Sequence, residues 1–401
     1  MASYAPLTLT RSKSLSFIVF NIRKAGLALN SKRMTTQNTA ILSMQSNLFK
    51  LPQRASTWAL WIMLGLGLNT PFRGIAGNPD RRGQAGATEL QIMPWARQAG
   101  WYGVNSANVR GLEAERLNVA GLALGGKTEL YFSRTNWLVG SDIYMNAFGI
   151  AQRVDESSVL ALSVMSVDMG TIDITTVNNP DGGLGTYKPT IANLGLSYAK
   201  SFSNRIHGGA TIRIVTEGTS DVNASGVAFD AGIQYITGPD DRIKFGISLR
   251  NVGTPISFSG DGLAARGVMQ GSTVPLTLSQ RSQTLEMPSL MNIGASYDFY
   301  LDENKTNRLT VAGNFTSNSF TNDQYGFGAE YAFGKMFAAR AGYQFEDAGS
   351  DPEFTQNVYS GLSLGASVDA PFAGSNFGFD YAYRATSPFG GTHLIGVRYG
   401  L

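Results

Sequence analysis

The chain has 401 residues, no cysteine and a formal net charge of +3, so disulfide bonds, thiolate metal sites and a strongly basic nucleic-acid footprint are excluded. Charged residues make up 15% of the sequence, well below the roughly 25% that is usual for soluble domains. Glycine is abundant, with 47 residues, and 11% of residues are aromatic, a composition that suits a β-barrel wall with aromatic girdles.

The N-terminal residues predict two segments outside the folded domain. An apolar run at 58–68 follows Lys50 and Arg54 and precedes Gly74-Ile-Ala76, which is the form of a secretory signal peptide. A spanning helix needs about twenty residues, so a helical anchor is the weaker alternative. We predict a signal peptide over 44–76 and a mis-called or poorly ordered extension over 1–43. Met44 is the expected start, with Met34 as the alternative.

The next segment, 77–124, predicts short helices and turns. From Gln91 to Leu124 it lacks period-two alternation and contains one proline and several glycines. A helix is expected from Leu112 to Leu117, because acidic residues lie in its first turn.

From Thr128 onward, the sequence is typical of strands and turns. In the stretch 377–384, aromatic side chains alternate with small or charged ones, a period of two. The two faces therefore need different media, and lipid outside with a polar lumen inside provides them. A soluble β-sandwich also alternates and is the alternative at this point. About fourteen strands are predicted, at 128–139, 142–153, 156–168, 189–200, 205–217, 225–236, 242–250, 284–299, 307–316, 323–333, 337–346, 357–369, 374–386 and 391–400.

The connections between these strands alternate in length. The longest, 169–188 and 251–283, are odd-numbered, whereas most even-numbered ones are tight turns. Bacterial outer-membrane barrels have short periplasmic turns and long external loops, and a sandwich has no reason for this asymmetry. The fold prediction is an all-β, transmembrane antiparallel β-barrel of about fourteen strands over 125–401. It would lie in the outer membrane of a Gram-negative bacterium, with both termini periplasmic.

Charged residues within the strands are predicted to face the lumen, because a charge on the lipid side costs roughly 2–4 kcal/mol at the bilayer centre. A three-residue turn at 334–336 would place Glu330 opposite Arg340. A structural ion pair is the first interpretation of these charges, and a substrate-guiding role is the alternative. The predicted luminal charges are Arg213, Asp230, Lys244, Arg250, Glu330, Arg340, Asp380, Arg384 and Arg398.

One motif has the form of a catalytic site. Gly361-Leu-Ser363-Leu-Gly365 matches the nucleophile elbow of hydrolases, which needs a strand-to-helix turn. Here it lies inside an alternating strand, so Ser363 is predicted to be a small lumen-facing residue. No catalytic residue, cofactor or metal site is predicted.

The segment Asn118-Val-Ala-Gly-Leu-Ala123 carries a family resemblance. It resembles the Asn-Pro-Ala-Gly-Leu-Ala stretch of FadL-like outer-membrane barrels, specifically the PorV/PorQ family associated with type IX secretion. Val119 stands where that family usually has proline. The predicted hatch motif is Asn118, Ala120 and Gly121. Supporting segments are 83–90, 96–97, 228–235, 249–253, 260–263, 287–289 and 380–384.

The resemblance implies a barrel whose residues 77–124 form a hatch in the lumen. It also implies a non-enzymatic role in protein secretion or cell-surface attachment, with secreted proteins that carry C-terminal sorting domains, or a secretion translocon, as partners. The loop 251–283 would then be the external docking loop. Its apolar residues include Phe258, Leu263, Val268, Met269 and Leu276. The alternatives are a FadL-like transporter of hydrophobic small molecules such as long-chain fatty acids, and a structural barrel. Outer-membrane lipid is a partner in every case, and nucleic acid in none.

Overall fold

A computed structural model of the chain describes residues 77–401, except 272, 335, 347–357 and 373. The predicted signal peptide at 44–76 and the extension at 1–43 lie outside the described residues. Among the described residues, no helix is both long enough and apolar enough to cross a bilayer.

Fourteen antiparallel strands of the described chain form a closed barrel, as predicted. Each strand pairs with the next barrel strand along the chain, and the last strand pairs with the first to close the wall. The barrel strands are β1 (Thr128–Trp137), β2 (Ile143–Arg153), β3 (Ser158–Asp168), β6 (Thr190–Ser201), β7 (Ile206–Gly218), β8 (Asn223–Thr237), β9 (Ile243–Gly253), β12 (Leu290–Tyr300), β13 (Arg308–Asn318), β14 (Gln324–Phe333), β15 (Phe337–Glu346), β16 (Tyr359–Phe372), β17 (Ser375–Thr386) and β18 (Thr392–Gly400).

Two small hairpins were not predicted, and one strand starts later than expected. The hairpins lie in the two longest described loops, β4 (Ile172–Asp173) with β5 (Thr186–Tyr187), and β10 (Ala264–Val268) with β11 (Pro275–Ser279). The strand predicted over 284–299 begins at Leu290, directly after a Met-Pro-Ser segment. Proline has no N–H to donate to a ladder, so pairing resumes only beyond it.

The exterior of the wall is apolar and the interior is polar, the reverse of a soluble domain. On β3, for example, Leu160, Leu162 and Val164 are each 43% exposed, whereas the alternating residues are buried. Arg213 and Lys244, by contrast, are among the largest fully buried side chains. A belt of exposed leucine, isoleucine, valine and phenylalanine on this scale is stable only against lipid.

The two ends of the barrel differ. At the end called the turn end, tight turns such as 154–157, 202–205 and 238–242 join the strands. At the end called the loop end, the connections include 169–189 and 254–289.

The hatch segment, residues 77–124, runs through the lumen from the loop end to the turn end. At the loop end the backbone N–H of Asn78 donates to Asn318 O, 3.4 Å away. At the turn end, just beyond the hatch, Lys127 N–H donates to Leu401 O at 2.8 Å. Its elements are 3-10 helices Pro79–Arg81, Thr88–Gln91, Leu112–Arg116 and Val119–Leu124, and the α-helix α1 (Ala96–Gly100).

The two ends of the described chain lie far apart. Residue 77 lies at the loop end and residue 401 at the turn end, because the hatch is threaded through the lumen. The residues before 77 lie outside the described residues, so the expectation that both termini are periplasmic stays a prediction.

Glycines on the inner face of the wall bring it into contact with the hatch backbone. A Cβ added at Gly342 would lie 2.2 Å from the carbonyl oxygen of Trp101, and one at Gly246 would lie 2.5 Å from that of Ser106. Such distances leave no room for any side chain, so these strands carry glycine where the hatch backbone crosses them. Hatch backbone also lies close at Gly365 and Gly209, with the nearest hatch atoms at 2.9 and 3.0 Å, whereas hatch side chains crowd Gly232, Gly294 and Gly326.

Candidate ligand site and luminal ion pairs

A pocket of about 300 Å³, here called the loop-end pocket, opens where the wall meets the loops. Its wall side is formed by the ends of β1, β3, β6 and β7, and the first of the hatch's buried 3-10 helices, Thr88–Gln91, lies against it. Most of the lining is apolar, and the volume is at the lower end of those that hold small ligands. The apolar lining residues are Ile92, Trp137, Val167, Met169, Pro189, Ile191, Val222 and Phe258.

Two carboxyl groups meet in this apolar pocket. Glu89 of the hatch faces Glu217 at the end of β7, and Glu89 is only 5% exposed. Burial, followed by a side-chain hydrogen bond with Glu217 and repulsion from its charge, raises the pKa of Glu89 to about 8. The raised pKa favours the protonated, uncharged form of Glu89 in this mostly apolar pocket.

A larger cavity of about 750 Å³, the turn-end cavity, opens at the other end of the lumen. It is bounded by the end of β18 and by hatch residues Arg110–Glu113. Its lining combines apolar side chains such as Leu112, Tyr131 and Phe372 with charged groups such as Arg398.

The hatch separates the two cavities. Its residues Leu117, Val119 and Leu122 are almost fully buried and pack with Met145 and Met165 of the wall. A molecule passing from one cavity to the other would have to displace this apolar contact.

The predicted hatch motif lies at the centre of this barrier. The Asn118 side chain accepts a hydrogen bond from Ala120 N–H at 3.3 Å and so caps the helix Val119–Leu124. Its Nδ2 donates to the carbonyl oxygens of Ser106 at 3.0 Å and Ile233 at 3.1 Å. Asn118 therefore ties two parts of the hatch to the wall.

Gly121 and Val119 complete the motif. A Cβ at Gly121 would lie 2.2 Å from the carbonyl oxygen of Val109, because two hatch segments cross there. Val119 is the first residue of its helix, a position at which proline also fits. Valine at position 119, where the family that the sequence resembles usually has proline, is therefore compatible with the same local backbone.

One group of luminal charges joins the hatch to β7 and β8. Arg213 Nη2 lies 3.0 Å from Asp230 Oδ2 and 3.3 Å from Glu115 Oε2 of the hatch. Arg116 also lies here, 3.4 Å from Glu115, and donates to Asn193. Sequence reasoning placed Arg213 and Asp230 in the lumen but missed their hatch partner.

A second group crosses five neighbouring strands. Glu330 accepts from Arg340 at 3.0 Å, and the two residues are directly opposite in the β14–β15 register. Arg340 donates to Ser367 at 2.7 Å, which in turn donates to Asp380. Asp380 is 2.6 Å from Arg398 Nε.

The remaining predicted charges also point inward. Lys244 pairs with Asp298 across β9 and β12. Arg250 donates to the carbonyl oxygen of Leu90 at 3.3 Å. The guanidinium of Arg384 lies 4.3 Å from the ring centroid of Tyr102 in the hatch. Each of these charged side chains contacts either a wall residue or a hatch residue. The contacts of Arg250 and Arg384 hold the hatch against the wall.

The predicted docking residues divide into two groups. Phe258 is half-buried and lines the loop-end pocket, and Leu263 ends a 3-10 helix, Asp261–Leu263. Val268, Met269 and Leu276 lie on or beside the β10–β11 hairpin and are 57%, 56% and 42% exposed. Ser363 is buried and donates to Gly100 O at 3.1 Å, so it serves as a contact between wall and hatch.

Neither family models nor curated proteins match the chain. Among solved structures it is similar to the CymD monoaromatic hydrocarbon channel, with 13% identity, a TM-score of 0.49, and coverage of 76% of this chain and 96% of that one. It is also similar to a Pseudomonas aeruginosa FadL homologue, with 15% identity, a TM-score of 0.45 and coverage of 76% and 96%. The Pseudomonas putida toluene transporter TodX matches with 10% identity, a TM-score of 0.46 and coverage of 73% and 93%.

The protein's class is defined by its own geometry. It is a membrane-spanning β-barrel of fourteen strands with an apolar exterior, a lumen crossed by a buried hatch, and a cavity at each end.

Proposed function

We propose that this protein is an outer-membrane channel for hydrophobic small molecules. The ligand binds in the loop-end pocket, and it passes to the turn-end cavity when the hatch shifts. The observation that carries this proposal is the apolar loop-end pocket, which is lined on one side by the hatch helix Thr88–Gln91. This pocket adds no support for a role in type IX secretion, which the resemblance to the PorV/PorQ family implies.

The chemistry of the pocket favours uncharged or weakly polar ligands. Its walls offer aliphatic and aromatic contacts, and the raised pKa of Glu89 favours the uncharged form of that carboxyl group. A permanently anionic ligand would lose its hydration on entering, and the described lining contains no arginine, lysine or histidine to pair with it.

The binding step is tested by removing apolar lining from the pocket. Ile191→Ser removes an inward-facing pocket side chain from β6, and Leu194→Ser is a matched control that faces outward on the same strand. With the protein in lipid nanodiscs, the affinity for the fluorescent hydrophobic probe N-phenyl-1-naphthylamine should fall about tenfold in Ile191→Ser, since the lost apolar contact is worth about 1–2 kcal/mol. Equal affinities in wild type and Ile191→Ser would refute binding in this pocket.

A second candidate function is docking of a secreted protein, and one observation favours it. The β10–β11 hairpin carries exposed apolar residues, including Val268 and Met269, that are unusual in a solvated loop. Deleting 264–279 should abolish co-purification of sorting-domain proteins and leave probe binding unchanged if docking is the function. Unchanged co-purification in that deletion would count against this candidate.

A further inference from the structure

On the described strands, the exterior of the barrel carries a polar patch within its apolar belt. In the described barrel strands, the arginines at 213, 250, 340 and 384 are buried inside the lumen, whereas Arg134 on β1 is exposed. Its neighbours Ser133 and Thr135 are buried and point inward, so Arg134 points outward toward lipid. A lipid-facing arginine is unfavourable without a compensating partner.

The groups around Arg134 are polar or aromatic. Its guanidinium carbon lies 4.7 Å from the ring centroid of Tyr144. Asn146 is directly opposite Arg134 in the β1–β2 register, and Asn136, two residues along, is opposite His393 of β18. These residues share the outer face, because the strands alternate.

A tyrosine orients His393 within this patch. The hydroxyl of Tyr381 is 2.7 Å from His393 Nδ1, so the ring is held on the outer surface by a hydrogen bond. Tyr383 packs against the same imidazole, with ring centroids 5.1 Å apart. The patch thus presents a guanidinium, two amides and an imidazole side by side, and all four can donate hydrogen bonds.

No carboxylate pairs with Arg134 among the described residues. The outward-facing acid closest in the strand register is Asp168, opposite Tyr144 on β3, and its Oδ1 accepts from the backbone N–H of Gly170 at 3.0 Å. The cation–π contact with Tyr144 leaves the edge of the guanidinium available to a ligand.

The patch lies near the loop-end surface of the membrane. Arg134 is three residues before the end of β1 at Trp137, a distance of about 10 Å along the strand. Tyr144, Tyr381 and Tyr383 are at the same end of their strands, where aromatic belts mark the boundary between lipid tails and headgroups. Headgroup phosphates therefore lie within reach of this patch.

We propose that the Arg134 patch binds the phosphate of an anionic lipid headgroup in the leaflet at the loop end. Arg134 supplies two parallel N–H groups to the phosphate oxygens, the geometry for which a guanidinium is suited. The amides of Asn136 and Asn146 and the imidazole of His393 add hydrogen bonds at the rim. Net negative charge on the lipid satisfies the cation that the protein itself leaves unpaired.

The proposal is tested by native mass spectrometry of the full barrel in detergent, titrated with phosphatidylglycerol. Arg134→Gln removes the cation from an exposed position and should not disturb folding. Arg266→Gln on the β10–β11 hairpin is the matched control, since it removes an exposed arginine on the same side of the membrane. The Kd for one tightly held phosphatidylglycerol should rise about tenfold to a hundredfold in Arg134→Gln and stay unchanged in Arg266→Gln.

Further arms identify the source of the phosphate and the nature of the contact. Zwitterionic phosphatidylcholine should bind more weakly than phosphatidylglycerol, and inorganic phosphate should not displace the lipid. Arg134→Lys, which keeps the charge and loses the paired N–H groups, should bind with intermediate affinity. Equal phosphatidylglycerol affinity in wild type and Arg134→Gln would overturn the proposal. Displacement by inorganic phosphate, or dimers that depend on Arg134, would also overturn it, in favour of a soluble anion or a second copy of the chain.

Discussion

Replacing Gly342 by alanine should loosen the hatch without unfolding the barrel. Gly342 lies on the inner face of β15, where the hatch backbone crosses it. The added Cβ would lie 2.2 Å from the carbonyl oxygen of Trp101, 2.4 Å from its carbonyl carbon and 3.0 Å from Tyr102 N. All three are backbone atoms, so no flexible side chain can move aside.

The hatch backbone is held in place at this point by its own hydrogen bonds. Trp101 N–H donates to Gln98 O at 3.1 Å, and Tyr102 N–H donates to Ala99 O at 2.9 Å. Relieving the overlap therefore requires a shift of about 1 Å in hatch or wall, and overpacking of this kind costs about 1–3 kcal/mol. If that cost falls on hatch docking, the undocked population rises about 5-fold to 150-fold.

Hydrogen–deuterium exchange measures this population directly. Amides of Trp101, Tyr102 and Gly103 should exchange faster by that factor in Gly342→Ala, while barrel-strand amides keep their protection. Gly313→Ala is the matched control, because its Cβ would face outward with its nearest neighbour 3.7 Å away. If hatch exchange is the same in Gly342→Ala and wild type, the packing argument is wrong.

Three further predictions concern charge and register. Burial raises the pKa of Glu89 to about 8, so the docked hatch keeps a proton that the undocked hatch releases above about pH 4.5. Docking should therefore be strongest below pH 4.5 and weaken as the pH rises to 8. Hydrogen exchange at the amides of Leu90 and Ile92, corrected for intrinsic rates, should show this pH dependence in the wild type and lose it in Glu89→Gln. Arg213→Met leaves Glu115 and Asp230 buried without their shared cation, so it should destabilise the protein by about 3–5 kcal/mol in urea unfolding, and adding Glu115→Gln and Asp230→Asn should restore stability. Cysteines at 330 and 340, which are directly opposite across β14 and β15, should form a disulfide on oxidation. A pair at 330 and 341 should not, because residue 341 faces outward. The reverse result would refute the register.

The wall was predictable because its two faces meet different media. Alternation such as that of Phe377, Phe379 and Tyr381 against Gly378 and Asp380 determines both the strand and the direction of each side chain. The same alternation located the luminal charges and, with the short turn at 334–336, the pairing of Glu330 with Arg340.

The hatch was less predictable, because it packs through its backbone. Its path leaves no periodic signal, and its partners are distant in sequence, as with Glu115 and Arg213, 98 residues apart. Abundant glycine in the strands indicated that another backbone approaches the wall, but not which one. Glu113 and Glu115 were interpreted only as helix-end residues, whereas they form ion pairs with Arg97 at 3.0 Å and with Arg213 at 3.3 Å.

The loop-end pocket was also missed, for a related reason. Trp137, Ile191 and Glu89 come from a strand end, a strand start and the hatch, and only closure of the barrel brings them together. The sequence analysis assigns Phe258 and Met269 to a single docking surface. In the structure, Phe258 lines the loop-end pocket, whereas Met269 is exposed on the outside.

Uptake by vesicles with a locked hatch tests the proposed transport function most directly. Ser106 of the hatch contacts Asn314 of β13 through a hydrogen bond, and the sequence has no cysteine, so Ser106→Cys with Asn314→Cys provides one reversible tether. The reduced protein should carry a small uncharged hydrophobic molecule into vesicles, oxidation should stop uptake, and probe binding at the loop-end pocket should persist. Uptake that continues with the hatch locked, or no uptake by the reduced, folded protein, would contradict the account.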